Sequence, residues 1–190
     1  MATTLDRGFK SWAERTSIAL RREFRSAPHD PLPPEKVAEY LGISLWTPYD
    51  VPGLPPPVLN QLVNADPHGW SGVSLQTGKK GIIIYNPRHS KGRRSSDISH
   101  EVAHFVLDHR PATIIWAASL ELAMRSFDTK QEDEANWLAW CLLLPRDALT
   151  YSKRRGLTTA QIAEHYGVSE TLVNFRMHKT GVNAQFHGVA

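Results

Sequence analysis

Cysteine is almost absent from the sequence. Cys141 is the single one in 190 residues, which excludes an internal disulfide and suits a reducing cytoplasm. Set in an apolar stretch, it reads as a small buried hydrophobe rather than a nucleophile. No apolar run opens the chain as a signal peptide would, and no segment reaches the roughly 18 uncharged apolar residues of a membrane helix. A cytoplasmic location with no membrane partner is therefore expected. Charge of one sign is scarce too: 22 Lys and Arg against 19 Asp and Glu leave +3, too weak a bias to announce a nucleic-acid partner. The basic residues that do cluster are Lys79, Lys80, Arg88, Lys91, Arg93 and Arg94, then Lys153, Arg154 and Arg155. They read first as solvated loops and second as a contact for nucleic acid or an acidic partner. With 41% apolar and 22% charged residues, the chain can bury one sizeable core with a small appendage.

What the sequence does contain is His100-Glu101-Val102-Ala103-His104. Histidines four apart lie one above the other on a single helix face, so both imidazoles can reach one metal ion. Glu101 projects along a neighbouring face, where it can take a proton from a metal-activated water. Ser95, Ser96 and Asp97 are good N-cap types just ahead of the apolar periodicity, so the helix is expected to start there. Ile98, Val102, Phe105 and Val106 make one buried stripe, with His100, Ala103, His104 and Leu107 beside it. Surface histidines would sit among Lys, Glu and Gln instead.

A catalytic zinc site needs three protein ligands and one open position. Residues 131–145 open with acids and continue as an apolar helix. There Glu134 shares its face with Trp137, Leu138 and Cys141, the side expected to be buried. Glu132 and Asp133 suit a solvated first turn, where acids favour the helix dipole. An acid on a buried stripe needs a partner, so Glu134 is the expected third ligand. Zn2+ is the expected ion, and Mn2+ or Fe2+ also suit a set of two His and one Glu. Asp108, four residues after His104, reads either as an orienting group for that ring or as a surface carboxylate. His109 reads as a ligand, a transition-state stabiliser or, preferably, a cap favoured by the dipole. Tyr85, His109, Tyr151 and Tyr166 are candidates, on chemistry alone, for stabilising an oxyanion.

The stretches Ser99-His100-Glu101-Val102-Ala103-His104-Phe105-Val106-Leu107 and Glu134-Ala135-Asn136-Trp137-Leu138-Ala139, then Leu142-Leu143-Leu144-Pro145, resemble the ImmA/IrrE family of metallopeptidases. That family pairs an HExxH helix with a later Glu-Ala-Asn (or Asp) helix ending in Leu-Leu-x-Pro. The resemblance runs from the proline-rich stretch near residue 31 onward. It implies His100, His104 and Glu134 as metal ligands, Glu101 as general base and a gluzincin-like zinc endopeptidase. It further implies a protein substrate, typically a DNA-binding repressor in a stress, phage or mobile-element circuit, or an antitoxin of a toxin–antitoxin pair. Val102-Ala103 departs mildly from the bulky residue and Gly of many members.

The expected fold class is α+β: a mainly helical, zincin-like metallopeptidase with a small sheet and a C-terminal helix-turn-helix-like pair. Its parts are an N-terminal helix (1–29), the metallopeptidase domain (30–152) and the C-terminal segment (153–190), packed on that domain. Residues 1–8 are expected to be disordered. Helices are expected at 9–24, 33–41 and 58–63, and a strand at 43–46. Strands at 70–76 and 80–85 flank a hairpin turn at 77–79. The second of these is apolar without alternation, so it should be buried on both faces. A strand beside the cleft can hold substrate by edge addition. Pro111 is a stop signal for the metal-binding helix. Residues 114–126 read as a helix or lid over the cleft. In the last section, Gly167 centres a turn and Ser169 caps a second helix. Asn174, Arg176, His178 and Lys179 on that helix can be read as DNA contacts, though packing is the preferred reading. A rival function is thus a DNA- or protein-binding regulator whose peptidase fold is structural. Nothing in the sequence sets the oligomeric state.

Overall fold

The computed structural model describes residues 5–77, 80–109, 113–117, 122–126 and 128–186, with backbone alone at 76, 77, 80, 113–117 and 122–126. In chain order the elements are α1 (Phe9–Glu23), α2 (Pro34–Tyr40), β1 (Ile43–Trp46), α3 (Pro56–Asn60), β2 (Gly72–Thr77), β3 (Lys80–Tyr85) and α4 (Lys91–Val106). They continue with β4 (Thr113–Ala117), β5 (Leu122–Ser126), α5 (Thr129–Leu143), α6 (Arg146–Arg154), α7 (Thr159–Tyr166), α8 (Glu170–Thr180) and α9 (Val182–Phe186). The class is α+β, mainly helical. Among the described residues no helix is long and apolar enough to cross a membrane.

The sheet has the order β1-β3-β2. β1 runs parallel to β3, with Ile43 opposite Gly81, and β2 runs antiparallel, with Gly72 opposite Tyr85. Its central position explains why β3 is apolar without alternation: Ile83 and Ile84 are both buried. Gly81 is required by a close approach of α4. A Cβ there would stand 2.7 Å from Phe105 Cε1 and 3.2 Å from Ile43 Cγ1. Gly81→Ala should lower unfolding stability by about 1–3 kcal/mol through overpacking, read from urea denaturation. A variant as stable as the wild type would show that Phe105 yields freely.

α4 and α5 pack on each other, and Ser99 Oγ donates to the Ala139 carbonyl at 3.2 Å between them. The last carbonyls of a helix have no partner within it and carry its negative dipole end. In α5 other elements supply that need. Ser17 Oγ donates to the Cys141 carbonyl (2.6 Å), Arg21 Nη2 to that of Leu142 (2.8 Å) and Arg176 Nε to that of Leu144 (3.0 Å). Arg21 also donates from Nε to the Asp30 carbonyl at 2.8 Å. Burial pushes its guanidinium down to about 10, so it stays charged at neutral pH. Arg176 pairs with Glu14 of α1.

α6 to α9 share a second apolar cluster, including Leu149, Ile162, Tyr166, Val173, Met177 and Val182. Gly167 ends α7 at φ 64°, and Ser169 Oγ accepts from the Leu172 N–H to start α8. This turn abuts the start of α4: a Cβ on Gly92 would lie 3.3 Å from the Val168 carbonyl carbon.

Several expectations are corrected. α4 begins at Lys91 with Ser90 as its cap, Ser90 Oγ accepting from the Arg93 N–H. Residues 95–97 lie more than a turn inside that helix, with Ser95 buried, so none of them can cap its start. Residues 113–117 and 122–126 form antiparallel β4 and β5, with Ile115 opposite Met124. The run Thr113-Ile114-Ile115-Trp116 is β-branched and aromatic, which favours a strand, so the helix half of the helix-or-lid reading of 114–126 is corrected. β5 lies alongside β2. Of the segment expected to be disordered, Leu5 packs on the core and Asp6 pairs with Lys130 at 2.8 Å. Residues 1–4, the hairpin turn at 78–79 and the stop signal at Pro111 lie outside the described residues.

Candidate metal centre and active site

α4 holds its two histidines so that their Nε2 atoms lie 3.1 Å apart. From the first turn of α5, Glu132 brings Oε2 to 3.3 Å from His100 Nε2 and Oε1 to 3.6 Å from His104 Nε2. Among the described residues, these three are the group of His, Cys, Asp or Glu whose ligand atoms converge, all within 4.8 Å. His100 Nδ1 sits 3.1 Å from Asn136 Oδ1. That oxygen can only accept, so Nδ1 carries a hydrogen, and in the neutral ring Nε2 turns a lone pair to the cluster. Asn136 and Glu132 are four apart on α5 and so share the face opposed to α4.

The expectation named Glu134 at this point; the structure brings up Glu132 in its place. Glu134 lies two residues on, about 200° around the helix axis, and its Oε2 stands 3.2 Å from His109 Nε2. His109 in turn places Nδ1 at 3.0 Å from His104 Nδ1. Asp108 is exposed and adopts the left-handed backbone at φ 51° that ends α4. The Asp108 N–H donates to the Phe105 carbonyl and the His109 N–H to that of His104, a Schellman closure. Of the two readings of Asp108, its exposure agrees with the surface carboxylate, and the contact to His104 is made by His109. Tyr85, on β3, packs on the core. Tyr166 donates its hydroxyl to the His29 carbonyl, and Tyr151 stacks on the His29 ring at 3.8 Å. Those two belong to the α6–α7 side of the molecule.

Glu101 lies against β2. A Cβ on Gly72 would be 3.5 Å from Glu101 Cγ, and Ser74, two residues on and on the same face, hydrogen-bonds the carboxyl group. Burial raises the Glu101 pKa; the charge of His100 and the Ser74 hydrogen bond oppose this, while Glu132 and Asp97 add to it. Asp97, one turn earlier on α4, is held by His89 at 2.7 Å. For His100, burial disfavours the charged ring, but the Glu132 hydrogen bond and the Glu101 and Glu132 charges outweigh it, so its pKa is raised. Glu132 is shifted down, chiefly by its hydrogen bond to His100. Both shifts mark a pocket that favours positive charge between these groups.

Arg176 is corrected as a nucleic-acid contact. It is fully buried, with its guanidinium turned to Leu144 and Glu14. Lys179 is exposed beside the Phe175 ring. Glu132, Asn136 and Ser74 were not anticipated. Asn136, a polar residue at the start of the apolar run and four after Glu132, is the signal that could have found the first two.

Converging imidazoles, a carboxylate from a second helix and a half-buried glutamate between the histidines make up the metal-dependent hydrolase class of site. The family model of the M78 peptidases, described as the IrrE N-terminal-like domain, matches residues 61–178. The chain belongs to this metallopeptidase family. No curated protein matches it.

Proposed function

We propose that the chain is a zinc-dependent endopeptidase that cleaves a protein, with His100, His104 and Glu132 as metal ligands and Glu101 as general base. One observation carries this reading: three side chains from two helices converge, the two Nε2 atoms 3.1 Å apart, Glu132 Oε2 at 3.3 Å from that of His100 and Glu132 Oε1 at 3.6 Å from that of His104. Lone pairs so disposed repel unless a cation joins them. A tetrahedral ion with bonds of about 2.0–2.1 Å sets its ligand atoms about 3.3–3.4 Å apart, which fits the spacing found.

When bound there, zinc supplies Lewis acidity, acidifying water and polarising a carbonyl oxygen. Glu101 accepts the proton of the water as its oxygen adds to the peptide carbonyl carbon. It then gives that proton to the amine nitrogen as the C–N bond breaks. A pKa raised by burial brings Glu101 closer to the operating pH, which suits a group that must both take and return a proton. Ser74 holds the carboxyl group beside β2, and β2 borders the space in which an extended peptide would lie. The family resemblance favours a DNA-binding repressor or an antitoxin as the substrate, in a stress or phage response.

Metal analysis of the purified chain tests the reading. The wild type should hold one equivalent of zinc, Glu132→Ala should lose it, and Glu134→Ala should keep it with weakened affinity. If Glu134→Ala strips the metal and Glu132→Ala does not, the ligand assignment reverts to Glu134. A wild type that binds no divalent ion would remove the proposal.

A further inference from the structure

We infer that Glu134 and His109 form a relay that fixes which nitrogen of His104 faces the metal and how its ring is turned. The inference rests on the metal-centre reading above and adds two positioning residues to it. The contacts run in series: Glu134 Oε2 to His109 Nε2 at 3.2 Å, then His109 Nδ1 to His104 Nδ1 at 3.0 Å. His104 Nε2 then faces His100 Nε2.

A neutral imidazole has one N–H and one lone pair, so each link dictates the next. The Glu134 carboxylate accepts, and His109 must donate from Nε2. His109 Nδ1 is then an acceptor, and His104 Nδ1 must carry the hydrogen that it receives. That leaves His104 Nε2 as a lone pair aimed into the cluster. The reverse order would put a hydrogen on His104 Nε2, between it and the metal position, and set the His109 Nε2 lone pair against a carboxylate. Asn136 performs the same task for His100 in a single step.

The local backbone serves this arrangement. The left-handed turn at Asp108 folds the chain back over the end of α4 and delivers the His109 ring beside the previous turn. The rings of His104 and His109 meet at 66° with centroids 5.1 Å apart, edge to face, so the contact is made through the nitrogens rather than by stacking. Both side chains are nearly buried, at 3% and 7% exposed, which keeps water from competing for the Nδ1 pair.

Two measurements test this on the full chain. The long-range 1H–15N spectrum of the imidazoles, recorded without metal, should show Nδ1–H at His104 and Nε2–H at His109. Nε2–H at His104 would overturn the relay. Zn2+ affinity by competition with a chromophoric chelator should fall about 10- to 100-fold in His109→Leu. His109→Asn, whose amide oxygen can accept from Nδ1–H, should recover most of the loss. Glu134→Ala should lose less, and the double variant no more than His109→Leu alone, because the residues act in series. Unchanged affinity in His109→Leu, or no recovery in His109→Asn, would also overturn it. If the wild type itself fails to bind Zn2+, the metal-centre reading falls, and the tautomer spectrum still decides the relay.

Discussion

Glu101→Gln should keep its metal and its fold and lose peptidase activity by about 10²–10⁴-fold. The amide occupies the same volume, so the contact with Gly72 and the hydrogen bond from Ser74 can persist. What it cannot do is accept a proton from water. Because Glu101 is not among the three converging ligand groups, zinc content should match the wild type. The readouts are metal analysis, a thermal melt and turnover of an unfolded protein such as casein. Metal-loaded Glu101→Gln that cleaves as fast as the wild type would rule out Glu101 as the base. The same variant should retain its natural substrate and so serve as a trap for identifying it.

The second large effect lies far from the chemistry. Arg176→Met should lower unfolding stability by about 3–5 kcal/mol. The substitution leaves the Glu14 carboxylate without its partner and the Leu144 carbonyl without a donor. Glu14 also accepts from the Arg146 N–H at the start of α6, so the loss reaches three helices. Glu14→Gln combined with Arg176→Met should recover part of the deficit, since no uncompensated charge then remains. Equilibrium urea unfolding gives the numbers. A variant that kept wild-type stability but lost salt-dependent DNA binding would restore the recognition-helix reading of α8.

Much of the site could be read from residue order because its core is local. His100, Glu101 and His104 lie within five residues of one helix, and helical geometry alone sets their faces. Glu132 was harder to find. A half-exposed acid in a first turn looks like a solvated partner of the dipole, and only the distance to α4 shows that it reaches the imidazoles. The buried-stripe argument for Glu134 found an acid that does need a partner, and that partner is His109. Arg176 left two readings open for a related reason: a basic residue in the second helix of such a pair suggests a phosphate, whereas here the negative end of α5 attracts it. The strands at 113–117 and 122–126 were missed because mixed periodicity does not separate paired strands from a helix. Sequence order fixed β1 to β3 well, since glycine and proline bracket short β-branched runs there.

α5 offers Glu132 from its first turn and is gripped at its other end by Ser17, Arg21 and Arg176. A helix rises about 1.5 Å per residue, so an axial slip of one residue would carry the Glu132 oxygens out of reach of both rings. The bite of the metal cage is thus set by guanidinium grips several turns away, and retention of the ion becomes a gauge of how firmly the two ends of the chain are docked.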